Sequence, residues 1–131
     1  MDLILDASVA VRVLTTFDAR DEMLRARVHE ASCHAPHLID AEVGNVLRRE
    51  AAQGAIESDN ALAALRALDS LVADRYPHAA LVPVAWELRH NVTYYDALYV
   101  ALAARLGYPL LTADARLARA PGLLCEVELI D

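Results

Sequence analysis

Short apolar runs alternate along the chain with stretches whose apolar residues recur every three or four positions. The first run, Leu3-Ile4-Leu5, reads as a buried strand ending at Asp6. Ser8 follows as the expected cap of a first helix, Val9 to Leu14. After a polar break from Thr16 to Asp21, Glu22 to Glu30 predicts a second helix and Ser32 to Ala35 a short strand. Pro36 suits the first position of a long helix that runs to Gln53 and stops at Gly54. Ser58 to Tyr76 predicts another helix, with Leu62, Leu65, Leu68, Leu71 and Val72 at helical spacing. Ala79 to Val82 reads as a strand, and Pro83 opens a short helix through His90. Thr93 is placed to cap a helix from Tyr94 to Leu106, closed by Gly107. Leu110 and Leu111 form the next buried strand and Asp114 to Arg119 a helical turn, broken at Pro121-Gly122. Glu126 to Ile130 alternates as a terminal strand does.

This alternation predicts an α/β fold: a central, mostly parallel sheet flanked by helices on both faces. The 131 residues suit a single domain spanning 1–131. The chain carries no repeats, linkers or low-complexity stretches. Its 56% hydrophobic and 24% charged residues describe a chain that buries a core rather than a disordered one. No apolar run approaches the roughly 20 residues of a membrane-spanning helix. The start, MDLILDASVAV, has acids where a signal peptide has bases, so a cytoplasmic protein without membrane association is expected. Cys33 and Cys125 form no CxxC pair and read as reduced, partly buried thiols. The five histidines form no HExxH pattern; His34 and His37 read as ordinary histidines at a strand end.

Charge narrows the chemistry. A net charge of −7 argues against broad, nonspecific attraction to nucleic acid, so any phosphate contact has to come from local arginines. All twelve basic residues are arginine. Chemistry that needs a lysine is excluded, and with it receiver domains and haloacid-dehalogenase-type phosphatases. The latter would also want Asp-x-Asp where the chain has Asp6-Ala7-Ser8.

Ligands of open α/β sheets bind beyond the carboxyl ends of the strands. Asp6 follows the first strand directly, and Asp114 follows the strand at Leu110-Leu111. Asp96 lies in the first turn of a helix expected to emerge at the same edge. Glu42 stands beside the apolar stripe of the long helix, among Leu38, Ile39 and Val46, where an unpaired carboxylate is costly. Taken singly, each acid has a plainer reading. Asp6 and Asp114 begin helices, and Thr93-x-x-Asp96 resembles a capping box. Together they read as one site. Carboxylates about 4 Å apart repel by about 4 kcal/mol at an effective dielectric of about 20, and divalent cations turn that repulsion into binding. An oxygen-only donor set favours Mg²⁺ or Mn²⁺ over zinc.

LILDAS at the start, LIDAEVGNVLRR, YYDALYVALAARLG and PLLTADARLA together resemble a PIN domain, and more narrowly the VapC toxins of bacterial toxin–antitoxin pairs. The resemblance covers essentially the whole chain, and YDALYVALA followed by PLLTAD is its most specific part. It implies that the family's acidic quartet falls on Asp6, Glu42, Asp96 and Asp114 as catalytic and metal-holding residues. Ser8, Asn45 and Thr112 would support the site. It further implies a divalent-metal endoribonuclease that hydrolyses RNA, forms a homodimer and is inhibited by a cognate antitoxin. A nuclease acting on DNA and an inactive PIN-fold binding module are the rival readings. Arg116, beside Asp114, and Arg12 are the candidate substrate contacts; Arg48 and Arg49 are further arginines near the pocket. Tyr94, Tyr95 and Tyr99 suit base stacking or packing, with packing favoured by their helical spacing. The dimer expectation draws on several helices whose apolar residues exceed one stripe, as in Tyr94 to Leu106.

Overall fold

A computed structural model describes residues 1–131. Five strands form one wholly parallel sheet: β1 (Asp2–Leu5), β2 (Ser32–Pro36), β3 (Asp74–Tyr76), β4 (Leu110–Thr112) and β5 (Val127–Leu129). Their spatial order is β3-β2-β1-β4-β5. Seven helices flank the sheet: α1 (Ala7–Thr15), α2 (Glu22–Glu30), α3 (Leu38–Ala52), α4 (Ser58–Leu71), α5 (Val82–Glu87), α6 (Tyr94–Leu106) and α7 (Ala115–Arg119). The α/β fold with a parallel sheet is as the alternating pattern predicts. β1 is central, and Leu3, Ile4 and Leu5 are wholly buried. A strand covered on both faces reads as a continuous apolar run rather than an alternating one.

The order places a switch in direction beside β1. The chain winds outward from β1 to β2 and β3, then returns to the other side of β1 for β4 and β5. The carboxyl ends of β1 and β4 therefore border the crevice where such sheets bind ligands. Ile4 pairs with Leu110 and Leu5 with Leu111, so Asp6 and Thr112 leave the sheet side by side.

Several boundaries differ from the sequence expectation. Asp6, not Ser8, caps α1: its backbone is extended and its side chain accepts from the Val9 N–H. Pro36 ends β2, opposite Tyr76, instead of opening the long helix. That helix begins at Leu38, whose N–H donates to Nε2 of His78 (3.0 Å). The helix expected to reach Tyr76 stops at Leu71, and the following Asp-Arg-Tyr pairs with β2 as the edge strand β3. Three polar or amphipathic residues at an edge carry no alternating apolar signal, which is why the helical stripe before them hid the strand. Ala79–Val82 is no strand either: His78–Leu81 forms a 3-10 turn running into α5. Pro83, in the first turn of α5, donates no backbone hydrogen bond, which suits a helix start and would break a sheet ladder. No helix is long and apolar enough to cross a membrane.

α6 is buried from Ala97 through Ala103 on all sides. It packs on α5 and crosses β1, β2 and β4. The apolar excess of α6 is thus taken up by this chain's own core.

Candidate active site at the carboxyl edge of the sheet

Asp6 is the hub. It is 6% exposed, and three donors hold its carboxylate. Oδ1 accepts from Ser8 Oγ (2.6 Å) and the Val9 N–H (3.1 Å), and Oδ2 accepts from Thr112 Oγ1. Both hydroxyls are themselves fixed. Ser8 Oγ accepts from the Ala113 N–H (2.9 Å) and Thr112 Oγ1 from the Asp114 N–H (3.0 Å). The ends of β1 and β4 are stitched together through one carboxylate. Burial pushes the Asp6 proton affinity up, and the hydrogen bonds from Ser8, Thr112 and Val9 oppose it.

Glu42, half-buried on α3, accepts from the Tyr99 hydroxyl at Oε1 (2.7 Å). Burial holds its carboxyl above the usual range; Tyr99 opposes this, and repulsion from Asp96 and Asp6 adds to it. Asp96 is raised by burial in the same way, with repulsion from Asp114 and Asp6 added and Thr93 and Arg116 opposing. Its backbone N–H donates to Thr93 Oγ1 (3.2 Å), so Thr93 caps α6 as expected. Asp114 caps α7 by accepting from the Arg116 N–H (2.9 Å). An open cleft of about 330 Å³ is lined by Thr93, Asp96, Asp114, Arg116 and His90.

All four acids thus come to one edge and feel one another's charge. They do not form a finished coordination cage. No three of them, and no other trio of His, Cys, Asp or Glu side chains, stand close enough to share one metal ion. The hydrogen bonds show what occupies these oxygens instead: hydroxyl and amide donors hold Asp6, and Tyr99 holds one oxygen of Glu42. The donor chemistry still fits a hard divalent cation, with oxygen ligands throughout and mutual repulsion among the acids. Side-chain rotation would have to bring the oxygens together.

The other candidates separate. Ser8 and Thr112 touch Asp6 directly, whereas Asn45 is exposed and accepts from Arg48 Nε (3.2 Å). Arg116 lines the cleft. Arg12 is held by both Nε and Nη2 on Oδ1 of buried Asp21 (3.1 and 2.9 Å). His34 bonds Asp2 and Tyr76, and His37 is exposed. Burial pushes both free thiols, Cys33 and Cys125, up to about 11. Sequence reasoning passed over Tyr99 as a site residue. Its position, three after Asp96 and so on the same helical face, was the available signal.

A cluster of acids at the switch point of a parallel sheet marks a class, and comparison with known proteins agrees. A family model for the PIN domain matches residues 3–123, and the chain belongs to the PIN-domain family. Within that family it is similar to ribonuclease VapC1 of Mycobacterium tuberculosis, with 50% identity over 130 residues and 98% of each chain covered. Ribonuclease VapC12 of the same organism is 36% identical over 128 residues, again with 98% of each covered. The crystal structure of PAE2754 from Pyrobaculum aerophilum matches with a TM-score of 0.66 and 26% identity, covering 90% of this chain and 86% of that one. VapBC2 from Rickettsia felis, solved with a promoter DNA fragment, matches over 100% of both chains with a TM-score of 0.73; at 16% identity this shows the fold alone.

Proposed function

We propose that this chain is a divalent-metal-dependent endoribonuclease, the toxin of a toxin–antitoxin pair, acting in the cytoplasm. One observation carries the reading. A buried carboxylate, Asp6, is locked between the ends of β1 and β4, with two further proton-greedy acids, Glu42 and Asp96, repelling it and each other. Its similarity to ribonuclease VapC1 along 98% of the chain supports RNA as the substrate.

Asp6 and Asp96 would be the direct ligands of Mg²⁺ or Mn²⁺, and Asp114 would complete the site. A bound cation of this kind supplies Lewis acidity at a phosphate and lowers the pKa of a water. The chain's own part is positional. Ser8 and Thr112 fix Asp6 in one orientation, and Tyr99 pins Oε1 of Glu42. Oε2 of Glu42 is left to orient a water or receive its proton. Arg116, which lines the cleft together with Asp96 and Asp114, would meet phosphate charge. Hydrolysis of this kind leaves a 5′-phosphate and a 3′-hydroxyl.

The partner in this reading is a cognate antitoxin that covers the acidic cleft. A homodimer takes its support from Val82 and Trp86, 45% and 58% exposed and four residues apart on α5. Light scattering showing only monomer at micromolar concentration would remove the homodimer. The rival of an inactive PIN-fold binding module draws on the lack of a preformed three-acid cage. Incubation with cellular RNA, with and without Mg²⁺ or Mn²⁺, followed by mapping of the cut ends, decides between them. Cleavage abolished by chelator and by Asp6→Asn is expected; equal cutting by Asp6→Asn would end the assignment.

A further inference from the structure

Glu42 lines a second cleft, about 420 Å³, separate from the one that Arg116 lines. Along α3 its wall is built by Leu38, Glu42, Asn45, Val46 and Arg49, which recur at helical spacing and so share one face. Tyr95 of α6, 60% exposed, lines the same cleft. An exposed tyrosine alone needs no explanation. This one stands in a cleft with a site carboxylate and with an arginine whose guanidinium makes no hydrogen bond or ion pair within the chain. Seven of the other arginines are tied to acids, amides or carbonyls, Arg12, Arg27 and Arg75 among them. Tyr95 and Asp96 are adjacent in sequence yet line different clefts, Asp96 with Asp114 and Arg116, Tyr95 with Glu42 and Arg49.

We propose that the Tyr95–Arg49 cleft is a subsite for single-stranded RNA, in which a base stacks on the Tyr95 ring while Arg49 binds the phosphate of a nucleotide next to the one cut. The assignment of the occupant as RNA rests on the ribonuclease reading above. Every base offers a π-face, so aromatic stacking joined to a cation along the backbone holds single strands without regard to sequence. Arg49 lies seven residues beyond Glu42, about 10 Å along the helix, which places it past the reacting phosphate rather than on it. The net charge of −7 makes such local contacts necessary, because the chain as a whole repels RNA. Arg49 beside Glu42 in one cleft and Arg116 beside Asp96 and Asp114 in the other give each opening at the acids its own cation.

The test separates binding from cutting. Binding of a labelled single-stranded RNA oligonucleotide is measured by anisotropy in chelator, where no cleavage is expected, across a salt series. Tyr95→Ala should weaken binding roughly tenfold or more, and Tyr95→Phe should restore most of it. Arg49→Ala should weaken binding and lower the salt slope by about 0.7. With Mn²⁺, both alanine variants should raise KM far more than they lower kcat. Parent-like binding and KM in both variants would overturn the subsite while leaving the ribonuclease reading intact. So would a parent that binds no RNA in chelator, or a Tyr95→Ala protein whose sedimentation shows a lost dimer with unchanged RNA affinity, which would make the cleft an interface between copies. RNA bound through Tyr95 and Arg49 by a parent that never cuts it would keep the subsite and sink the enzyme.

Discussion

Thr112 shows how much rests on single hydroxyls here. It is wholly buried at the end of β4, donating to Asp6 and accepting from the Asp114 N–H. Thr112→Val keeps the shape and deletes both bonds. An unpaired buried polar group costs about 1–3 kcal/mol, so the variant should lose stability of that order in urea unfolding and cleave RNA more slowly. Parent-like stability would mean that the stitch between β1 and β4 is ornamental. Glu42→Gln moves the other way. It preserves an acceptor for Tyr99 and removes a charge that Asp96 and Asp6 repel. It should raise stability in chelator by on the order of 1 kcal/mol while abolishing cleavage, the trade expected where a site keeps strain for function. At this scale the acids stood out in the sequence: Asp6, Asp96 and Asp114 at strand or helix ends, Glu42 beside an apolar stripe. Their holders stood out less. Ser8 read as a cap, yet it donates to the cap, Asp6. Tyr99 read as packing, which it is at 1% exposure, but its hydroxyl reaches an acid on another helix. No local pattern encodes a partner 57 residues away.

Among the elements, those with a strong period and firm ends were legible: β1 from its apolar run, α2 residue for residue, and α6 from Thr93 to Gly107. Those whose form is set by a neighbour were not. β3 exists because β2 offers an edge, and its Asp-Arg-Tyr would suit a helix end equally well. The start of α3 depends on His78, forty residues on, which takes the Leu38 N–H that no local side chain caps. Removing that acceptor with His78→Ala should cost about 1 kcal/mol, the worth of an ordinary helix cap. Hydrogen exchange should show the loss as faster exchange at the first turn of α3. Unchanged protection there would mean that the turn is held by packing of Ile39 alone. The consequence reaches the site, since Glu42 lies one turn into the helix that His78 anchors.

For the molecule as a whole, the acids should make stability depend on pH and on cations in opposite senses. Burial raises the proton affinities of Asp6, Glu42 and Asp96 in the fold above the ordinary carboxylate values. A raised acid means that the folded state binds more protons than the unfolded one between the two pKa values. Stability from these groups is therefore fully present at low pH and is lost as pH rises through the folded values. Glu128, lowered by its bond to Arg27, acts in reverse, but its stability fades only as pH falls below the ordinary carboxylate range. In chelator, the midpoint of thermal unfolding should then fall as pH rises from the ordinary carboxylate range through the folded values of these acids. Divalent cations that bind only the folded, ionised site stabilise by mass action and should lift the midpoint most at the alkaline end. The acids' share is isolated by the difference between the parent and Asp96→Asn: the variant should have a flatter profile in chelator and a smaller rise with Mn²⁺. A parent whose midpoint climbs with pH in chelator, or which gains nothing from Mn²⁺ at pH 8, would show that these carboxylates neither strain the fold nor hold the ion.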